Sequence, residues 1–564
     1  MKTVYPNVFR HEDLRKDSET EQERKIEALL SAMTTEEKYS LLGGGREPED
    51  KGKIGNAGYV PGIPRLGIPE LVMYDGPAGI TGIVETTGVP TPTLLGCTWD
   101  DDMAYAFGKV AASECSACSG NVLLAPQVDV IRSPHFFRNK DMKSEDSYQA
   151  ARMGSAETRG VLDAGVIPTL KHFAAANLFG IKFFEFPKQY VDEQTMHEVY
   201  YRPFETALRE NGSAAVMNAY NNVNGNYCSA NAEMLKGVLR DQWGFKGAVM
   251  SDWGSVHSFT LDKGMDMEMP FPAFNAPKMI EKRFAWGRMT METVDTAVRH
   301  VLYTMASVGL LSLVQLDENG QVIPDPEHTH PIEMEWRYEQ AVSEGLLDQN
   351  AETAAQIVRE GAVLLKNDGA LPLRAGNGKT VLIGLGAKYP ICGEAQERSF
   401  GRLERMRSGQ EAFRDVAGME LPAYAGIDYA GEPIPAEACF RDAACTEPGL
   451  TRTWGILEED RNLLKTRKGP GGGGDAFTGT VLKDEDGEIV DTGLSTYNAK
   501  KEQTDPEHPA GSFCRVDARV CFVCGTDEAG QPVKHYRNGA NGNAFSHEES
   551  FTWKGYLKAP ETGE

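Results

Sequence analysis

The sequence lacks the features that mark exported, membrane-spanning or nucleic-acid-binding proteins. Its opening stretch, MKTVYPNVFRHEDLRKDSETEQERK, has no apolar core of a signal peptide, and no run of about 18 apolar residues occurs in the chain. Basic residues are in the minority: 58 Lys and Arg stand against 82 Asp and Glu, for a formal net charge of −24. Such a surface repels phosphate backbones and anionic lipids. We therefore expect a cytoplasmic protein with no nucleic-acid or membrane partner.

Cysteine-based sites and nucleotide loops are also poorly supported. The ten cysteines are scattered over 564 residues, and without an export signal a disulfide framework is not expected. The pairs Cys115/Cys118 and Cys521/Cys524 have a zinc-ligand spacing, but one lies in a helical pattern and the other in an apolar strand, which favours structural thiols. The glycine-rich GPGGGGDAF lacks the Lys-Ser/Thr of a phosphate loop. The sequence thus predicts no metal and no cofactor.

What the chain does contain is a long alternation of apolar strands and amphipathic helices, up to about residue 270. The predicted strands are LVMYD (71–75), VLLAPQVDV (122–130), VIPTLKHF (166–173), AAVMNAY (214–220), AVMSD (248–252) and DMEMP (266–270). A helical pair over 22–43 precedes them, with Thr34 and Glu37 spaced as a capping box. A further helix places Met234, Leu235, Val238 and Leu239 on one face before Gly244 ends it. This alternation predicts a parallel α/β architecture.

Polar residues end most of these strands, namely Asp75, Lys171 with His172, Tyr220 and Asp252. Any one of them could be a capping or loop residue, but their agreement favours a shared site at the carboxyl end of a (β/α) barrel. Carboxylates and cations hold sugar hydroxyls through charge-assisted hydrogen bonds, and the indole of Trp253 can pack on the apolar face of a sugar ring. The strand ends therefore indicate a carbohydrate site.

The motifs that contain these residues resemble those of glycoside hydrolase family 3, over about residues 25–390. They are LLSAMTTEEKYSLLGG, VMYDGPAGI, LLAPQVDVIRSPHFFRN…SEDSY, TLKHFAAAN, VMNAYNNVNGNYCSAN, GAVMSDWGSVHS, GMDMEMP and EGAVLLKNDGALPL, in the order typical of the family. The KHFAAAN form is similar to the β-glucosidase/β-xylosidase branch. The resemblance implies a TIM-type barrel and a retaining β-glycosidase that acts on terminal β-D-glucosyl or xylosyl residues.

The resemblance also implies roles for individual residues. Asp252 would be the nucleophile that forms a glycosyl-enzyme, and Trp253 would wall the pocket of the terminal sugar. Contacts to sugar hydroxyls would come from Asp75, Arg138, Lys171, His172 and Tyr220, and Met217 would line the pocket. A retaining glycosidase needs one carboxylate that stays ionised. We expect Asp252 to be exposed at the barrel mouth, with nearby cations keeping its pKa low.

Four domains are predicted: a helical segment over 1–44, the barrel over 45–330, the first part of an α/β sandwich over 331–440 and a partial all-β domain over 441–564. The last segment, FTWKGYLKAPETGE, resembles the start of a protective-antigen-type β-sandwich insert. In that layout the acid/base glutamate follows the insert, so we expect this chain to lack it. The rival hypothesis is that Glu394 or Glu397 substitutes.

Two functional hypotheses remain open from the sequence. The chain is an O-glycosyl hydrolase that acts on small glycosides or oligosaccharides, or it is a non-catalytic carbohydrate-binding or scaffold fragment. An ionised carboxylate at a strand end favours the enzyme, since a pure binding module has no need of one. The partners considered are a second copy of the chain and a polypeptide encoded downstream that complements it.

Overall fold

The computed structural model describes residues 4–45, 57–80, 84–136, 138–176, 188–212, 214–373, 380–388 and 407–424, together with short strands after residue 438. The chain divides into two compact units. The first comprises residues 1–379 and 390–407, and the second comprises residues 380–389 and 408–564.

The first unit combines strands and helices in alternation. Its strands are β1 (Val8–Phe9), β2 (Gly58–Val60), β3 (Leu71–Asp75), β4 (Val122–Leu124), β5 (Ile167–Phe173), β6 (Lys188–Gln189), β7 (Ala215–Asn218), β8 (Asn222–Val223), β9 (Asn226–Tyr227), β10 (Val249–Met250) and β11 (Glu333–Met334). Its α-helices are α1 (Glu19–Ala32), α2 (Thr35–Ser40), α3 (Pro92–Gly96), α4 (Asp101–Ala117), α5 (Ser147–Asp163), α6 (Glu193–Thr195), α7 (Arg202–Asn211), α8 (Pro277–Ala285), α9 (Met291–Ser307), α10 (Tyr338–Ser343) and α11 (Leu346–Gly361). Two further helical stretches, Met196–Tyr201 and Glu233–Gln242, have π-type hydrogen bonding.

Six strands form one curved sheet in the order β10-β7-β5-β4-β3-β2. Two segments outside the named strands link its ends. Met267 bridges β10 at Met250, Glu268 bridges Gly43, and the Gly45 N–H donates to the Tyr59 carbonyl of β2 (2.8 Å). The six strands and these two segments, residues 43–45 and 267–268, together form a closed ring of eight. The α/β class and the TIM-type barrel predicted from the sequence are confirmed.

The strands differ from the prediction in direction and in length. β2 runs antiparallel to β3, whereas the alternation predicted only parallel neighbours. The strand predicted over 122–130 ends at Leu124, because Pro126 has no N–H with which to continue the ladder. The strand predicted over 248–252 is limited to Val249–Met250, and the one predicted over 266–270 is present only as isolated bridges. The carboxyl ends of these segments are therefore loop-like, which frees their side chains for other partners.

Local sequence signals on the barrel wall are well reproduced. The Thr34 side chain accepts the Glu37 N–H while the Glu37 carboxylate accepts the Thr34 N–H, as a capping box requires. The helix Glu233–Gln242 buries Met234, Leu235, Val238 and Leu239, the four residues predicted to share a face. Gly244 follows with φ of 67°, a conformation that glycine adopts without strain.

The barrel interior below the strand ends is apolar. Leu71, Met73, Val122, Ile167, Ala215, Met250 and Met267 belong to one buried cluster, which continues to helices α1 and α9. Since this part of the barrel interior is apolar, the polar residues of a site can gather only at the opposite end, where the strands have their carboxyl ends.

The second unit contains a short parallel pair, β12 (Leu382–Ile383) and β13 (Ala423–Tyr424), with helices α12 (Leu385–Lys388) and α13 (Gly409–Ala417) between them in sequence. After residue 438 the described elements are strands. Leu450–Ile456 pairs antiparallel with both Cys514–Asp517 and Glu549–Lys554. The predicted Cys521/Cys524 pair, the glycine-rich segment 469–477, Glu394 and Glu397 lie outside the described residues.

Candidate active site

The carboxyl ends of the parallel strands bring five of the predicted site residues into one network. Lys171 Nζ lies 3.7 Å from Asp75 Oδ1, His172 Nε2 lies 3.6 Å from Asp252 Oδ2, and Arg138 Nη1 lies 3.4 Å from His172 Nε2. Both Lys171 and His172 are supplied by the end of β5, where the register with β7 shifts between Leu170 and Phe173. That irregularity allows two neighbouring side chains, which would alternate in a regular strand, to join the same network.

Asp252 is the most enclosed carboxyl group of the predicted set. It follows β10 by two residues and is only 8% exposed. Its Oδ1 accepts the N–H of Trp253 at 2.7 Å. Burial raises its pKa to about 6, while the Lys171 charge, the Trp253 N–H and the Arg138 charge act in the opposite direction. A carboxyl group with this pKa is ionised near neutral pH and protonated in mild acid.

Two expectations about Asp252 are therefore wrong. The side chain is buried, not exposed at the mouth of the barrel, and its pKa is raised, not lowered. The cations expected around it are present and do favour the carboxylate. Their effect is outweighed because removing a carboxylate from water disfavours its charged form.

Tyr220 and Trp253 form the wall next to Asp252. The Tyr220 hydroxyl donates to the Trp253 carbonyl oxygen at 2.8 Å, and burial together with the Asp252 charge raises the pKa of Tyr220 well above its ordinary value. The Trp253 indole N–H donates to the Ala57 carbonyl oxygen at 3.2 Å, and its ring packs against Gly58 in β2. A side chain on Gly58 would meet that ring at 2.9 Å, so the glycine permits the indole to lie on the strand.

Met217 lies on the inner side of β7. It belongs to the apolar cluster of the barrel together with its register partner Met250, whereas the preceding Val216 belongs to the cluster outside. Alternation along the strand therefore directs Met217 inward, beneath the polar network.

Two acidic residues that the sequence analysis did not single out complete the network. The Asp129 Oδ2 lies 3.0 Å from His172 Nδ1, and Asp141 Oδ2 accepts from Arg138 Nε at 3.0 Å. Both carboxylates are almost fully buried. Asp129 lies in LLAPQVDV, at the end of the strand predicted over 122–130. It could have been found in the same way as the other site residues, as a polar residue at the carboxyl end of a predicted strand.

His172 is held neutral between these groups. Burial, followed by the charges of Arg138 and Lys171, lowers the pKa of His172 well below its ordinary value. Burial raises the pKa of its partner Asp129 to about 7, against the hydrogen bond from the His172 N–H and the Arg138 charge. The positive charges next to Asp252 are therefore those of Lys171 and Arg138.

Among the residues that the structure describes, no group of three or more His, Cys, Asp or Glu side chains could hold a metal ion. Cys115 lies in the last turn of α4 and Cys118 directly follows that helix. Both are buried, and desolvation raises the pKa of Cys118 to about 12 and that of Cys115 well above its ordinary value. No helix in the described part of the chain has the length and apolar character needed to cross a membrane.

Comparison with known proteins identifies relatives of the barrel. Residues 62–304 match the profile described as "Glycosyl hydrolase family 3 N terminal domain". The chain is 34% identical over 383 residues to "Beta-glucosidase B" of Emericella nidulans, covering 65% of this chain and 41% of that protein. It is 34% identical over 362 residues to a "Beta-glucosidase" of Rhizobium radiobacter, covering 62% of this chain and 39% of that protein.

Solved structures give the same picture. The β-glucosidase DesR from Streptomyces venezuelae, in complex with D-glucose, superposes with a TM-score of 0.60 at 31% identity over 74% of this chain and 52% of that chain. The β-glucosidase 3B from Thermotoga neapolitana, in complex with glycerol, superposes with a TM-score of 0.59 at 30% identity, over 70% of this chain and 55% of that chain. The chain thus spans about half or less of the length of these relatives.

Proposed function

Since residues 62–304 belong to the N-terminal domain of glycosyl hydrolase family 3, we propose that this chain provides the nucleophile half of a retaining β-glycosidase site. The proposed substrates are small glycosides or oligosaccharides with a terminal non-reducing β-D-glucosyl residue. Glucosyl is preferred to xylosyl here because the relatives are named β-glucosidases and one structural relative was solved with D-glucose.

The observation that carries the proposal is the environment of Asp252. A buried carboxylate faces two cations, Lys171 and Arg138, and is oriented by the Trp253 N–H. Such a group can attack the anomeric carbon and form a glycosyl-enzyme, because it is ionised near neutral pH yet is incompletely stabilised by its surroundings.

The remaining residues of the network would bind the sugar. Asp75, at the end of β3, remains 32% exposed while it pairs with Lys171, so its oxygens can accept from hydroxyl groups. Arg138 and Lys171 would donate to hydroxyl oxygens, and Trp253 would close one wall of the pocket. Tyr220 would hold that wall in place through its hydrogen bond to the Trp253 carbonyl, and Met217 would form part of the apolar floor.

Covalent labelling tests this proposal. A 2-deoxy-2-fluoro β-glucoside with a good leaving group should add one sugar to the wild-type chain, on the peptide that contains Asp252. Asp252→Asn should abolish labelling because the amide is not a nucleophile. The matched control is Asp163→Asn, since Asp163 ends α5 before β5, at the opposite end of the barrel, and accepts from Tyr105. Labelling of Asp252→Asn at the wild-type rate would assign the attack to another residue, and no labelling of the wild type would favour a carbohydrate-binding fragment.

We further propose that the acid/base is not among the described residues. The other carboxylates of the network around Asp252 already have partners: Asp75 pairs with Lys171, Asp129 contacts His172 and Asp141 pairs with Arg138. None of these groups is placed as an unengaged proton donor. The donor would come from another segment or from a complementing polypeptide, with Glu394 and Glu397 as rivals within this chain.

The leaving group distinguishes these cases. A nitrophenolate leaves without protonation, whereas a sugar alcohol does not. The chain alone should therefore be glycosylated by nitrophenyl glucosides, should hardly cleave disaccharides, and should turn over faster with added azide, which needs no general base. Efficient disaccharide hydrolysis that is lost in Glu394→Gln or Glu397→Gln, with no response to azide, would decide for the rivals.

A binding surface for the complementing polypeptide is proposed at the end of the first unit. Residues 362–373 follow α11 without helix or strand, and Val363, Leu364 and Leu365 are 62%, 61% and 91% exposed. Exposed apolar side chains at consecutive positions are typical of a segment that binds a partner. Light scattering of the chain alone should then show a monomer. Self-association that Leu365→Glu weakens would contradict this proposal and make a second copy of the chain the partner.

A further inference from the structure

Backbone pairing holds Asp129 beside His172. The Val128 N–H donates to the Lys171 carbonyl oxygen at 3.0 Å, and the Lys171 N–H donates to the Pro126 carbonyl oxygen at 3.1 Å. The segment after β4 is thereby fixed against the end of β5. Asp129 is one residue beyond this pairing, and its side chain is only 2% exposed.

A single oxygen of Asp129 collects several N–H groups. Its Oδ2 accepts the backbone N–H of His172 at 2.9 Å, lies 3.0 Å from His172 Nδ1, and accepts from Gln127 Nε2 at 3.2 Å. The backbone N–H and the amide nitrogen can only donate, so a proton on Oδ2 would oppose both of them. Oδ2 is therefore an acceptor whichever charge the carboxyl group carries.

This arrangement decides which ring nitrogen of His172 holds the proton. Because Oδ2 accepts, Nδ1 must donate and carries hydrogen. Burial and the neighbouring cations lower the pKa of His172, so the ring is neutral and has no second proton. Nε2 then has no hydrogen and is an acceptor. It accepts from Arg138 Nη1 in a long contact of 3.4 Å and lies 3.6 Å from Asp252 Oδ2.

We propose that Asp129 is a positioning residue that fixes His172 as its Nδ1-protonated tautomer, so that Nε2 accepts a hydrogen bond from a substrate hydroxyl beside Asp252. Nε2 and Asp252 Oδ2 are both acceptors and cannot bond to each other across 3.6 Å. A ligand that contacts either atom must donate, as a sugar hydroxyl does. At Nε2 it would replace the long contact with Arg138, whose bond to Asp141 through Nε remains. The identity of that ligand rests on the proposed function, whereas the tautomer does not.

Ring-nitrogen NMR of ¹⁵N-histidine-labelled protein tests the tautomer directly, with His172→Gln to assign the signals. The wild type should show a protonated Nδ1 and an unprotonated Nε2. Asp129→Ala removes the acceptor, so the ring should move toward the Nε2-protonated form, which can donate to Asp252. Asp129→Asn is the matched control, because its amide oxygen can still accept from both N–H groups of His172. Circular dichroism shows whether the variants fold.

A substrate series then measures the consequence. Asp129→Ala should lower kcat/KM for nitrophenyl β-glucoside roughly 2- to 10-fold, the effect of losing one neutral hydrogen bond. The loss should shrink for the one monodeoxy glucoside that lacks the donated hydroxyl, and Asp129→Asn should retain most of the wild-type value.

The outcomes separate this inference from the proposed function. A wild-type His172 protonated at Nε2, or a folded Asp129→Ala variant with an unchanged tautomer, would overturn the inference. If Asp129→Ala does not fold, the wild-type spectrum alone still decides it. If the wild type is neither labelled nor active with any glucoside, the proposed function fails, and the spectrum still reports on Asp129.

Discussion

Replacing the proposed nucleophile should stabilise the protein while it abolishes labelling. In Asp252→Asn the side chain keeps its shape but can no longer ionise. The wild-type carboxyl group is buried, and burial raises its pKa from 3.8 to about 6 despite the nearby charges of Lys171 and Arg138. Ionising this carboxyl group in the folded state therefore costs free energy. The variant has no such cost, because its amide stays neutral.

The pKa shift gives the size and sign of this effect. A difference of about two units corresponds to roughly 3 kcal/mol, at about 1.36 kcal/mol per unit. Below pH 3.8 the carboxyl group of Asp252 is protonated in both the folded and the unfolded state, and there is no penalty. Between pH 3.8 and about 6 the unfolded state ionises first, so the free energy of unfolding falls as pH rises. Above about pH 6 the full loss is present.

Urea unfolding followed by tryptophan fluorescence measures the difference. At about pH 7.5 the Asp252→Asn variant should be more stable than the wild type by roughly 3 kcal/mol, and the gap should close near pH 3.8. Asp163→Asn, at the exposed end of α5, should stay within about 0.5 kcal/mol of the wild type at both pH values. If Asp252→Asn is no more stable than the wild type at pH 7.5, the burial argument is wrong.

Two further predictions concern packing and thiol reactivity. Gly160→Ala would place a Cβ 2.1 Å from the Tyr105 carbonyl oxygen where α5 meets α4, and urea unfolding should show a loss of about 1–3 kcal/mol or more. Gly237→Ala meets nothing within 4 Å and should gain up to about 1 kcal/mol from helix propensity, so similar effects of the two changes would refute the packing argument. Peptide mapping after brief maleimide treatment at neutral pH should find Cys97, which is exposed, modified well before the buried Cys115. Equal rates would mean that α4 opens readily.

Local signals in the sequence predicted local structure well. The capping box of Thr34 and Glu37 depends on a few adjacent atoms, and the helical face that begins at Met234 depends only on periodicity. Both features form within one or two helical turns, so residues that are close together in the sequence determine them almost completely. The strand ends were predicted for a similar reason, since Asp75 follows directly from an apolar run.

Features that depend on tertiary enclosure could not be predicted in this way. The pKa of Asp252 depends on how much water the folded barrel excludes, and the motif SDWG contains no measure of that. The contact of Asp129 with His172 joins two strands whose pairing was not known, over 43 positions of the chain. The antiparallel direction of β2 depends on how the ring closes, through Gly45 and the segment that begins at Met267.

The electrostatics of the pocket suit a reaction with a positively charged transition state. Burial pushes Asp252, Asp129 and His172 toward their neutral forms, while Lys171 and Arg138 favour the ionised form of Asp252. A carboxylate that two cations stabilised fully would be a weak nucleophile with little left to gain from the substrate. A carboxylate with no cation nearby would be protonated at neutral pH and unable to attack. With a pKa of about 6, Asp252 lies between these limits. In the reaction proposed here, an oxocarbenium-like sugar would bring additional positive charge next to Asp252, so the interaction would strengthen at the transition state and not before it.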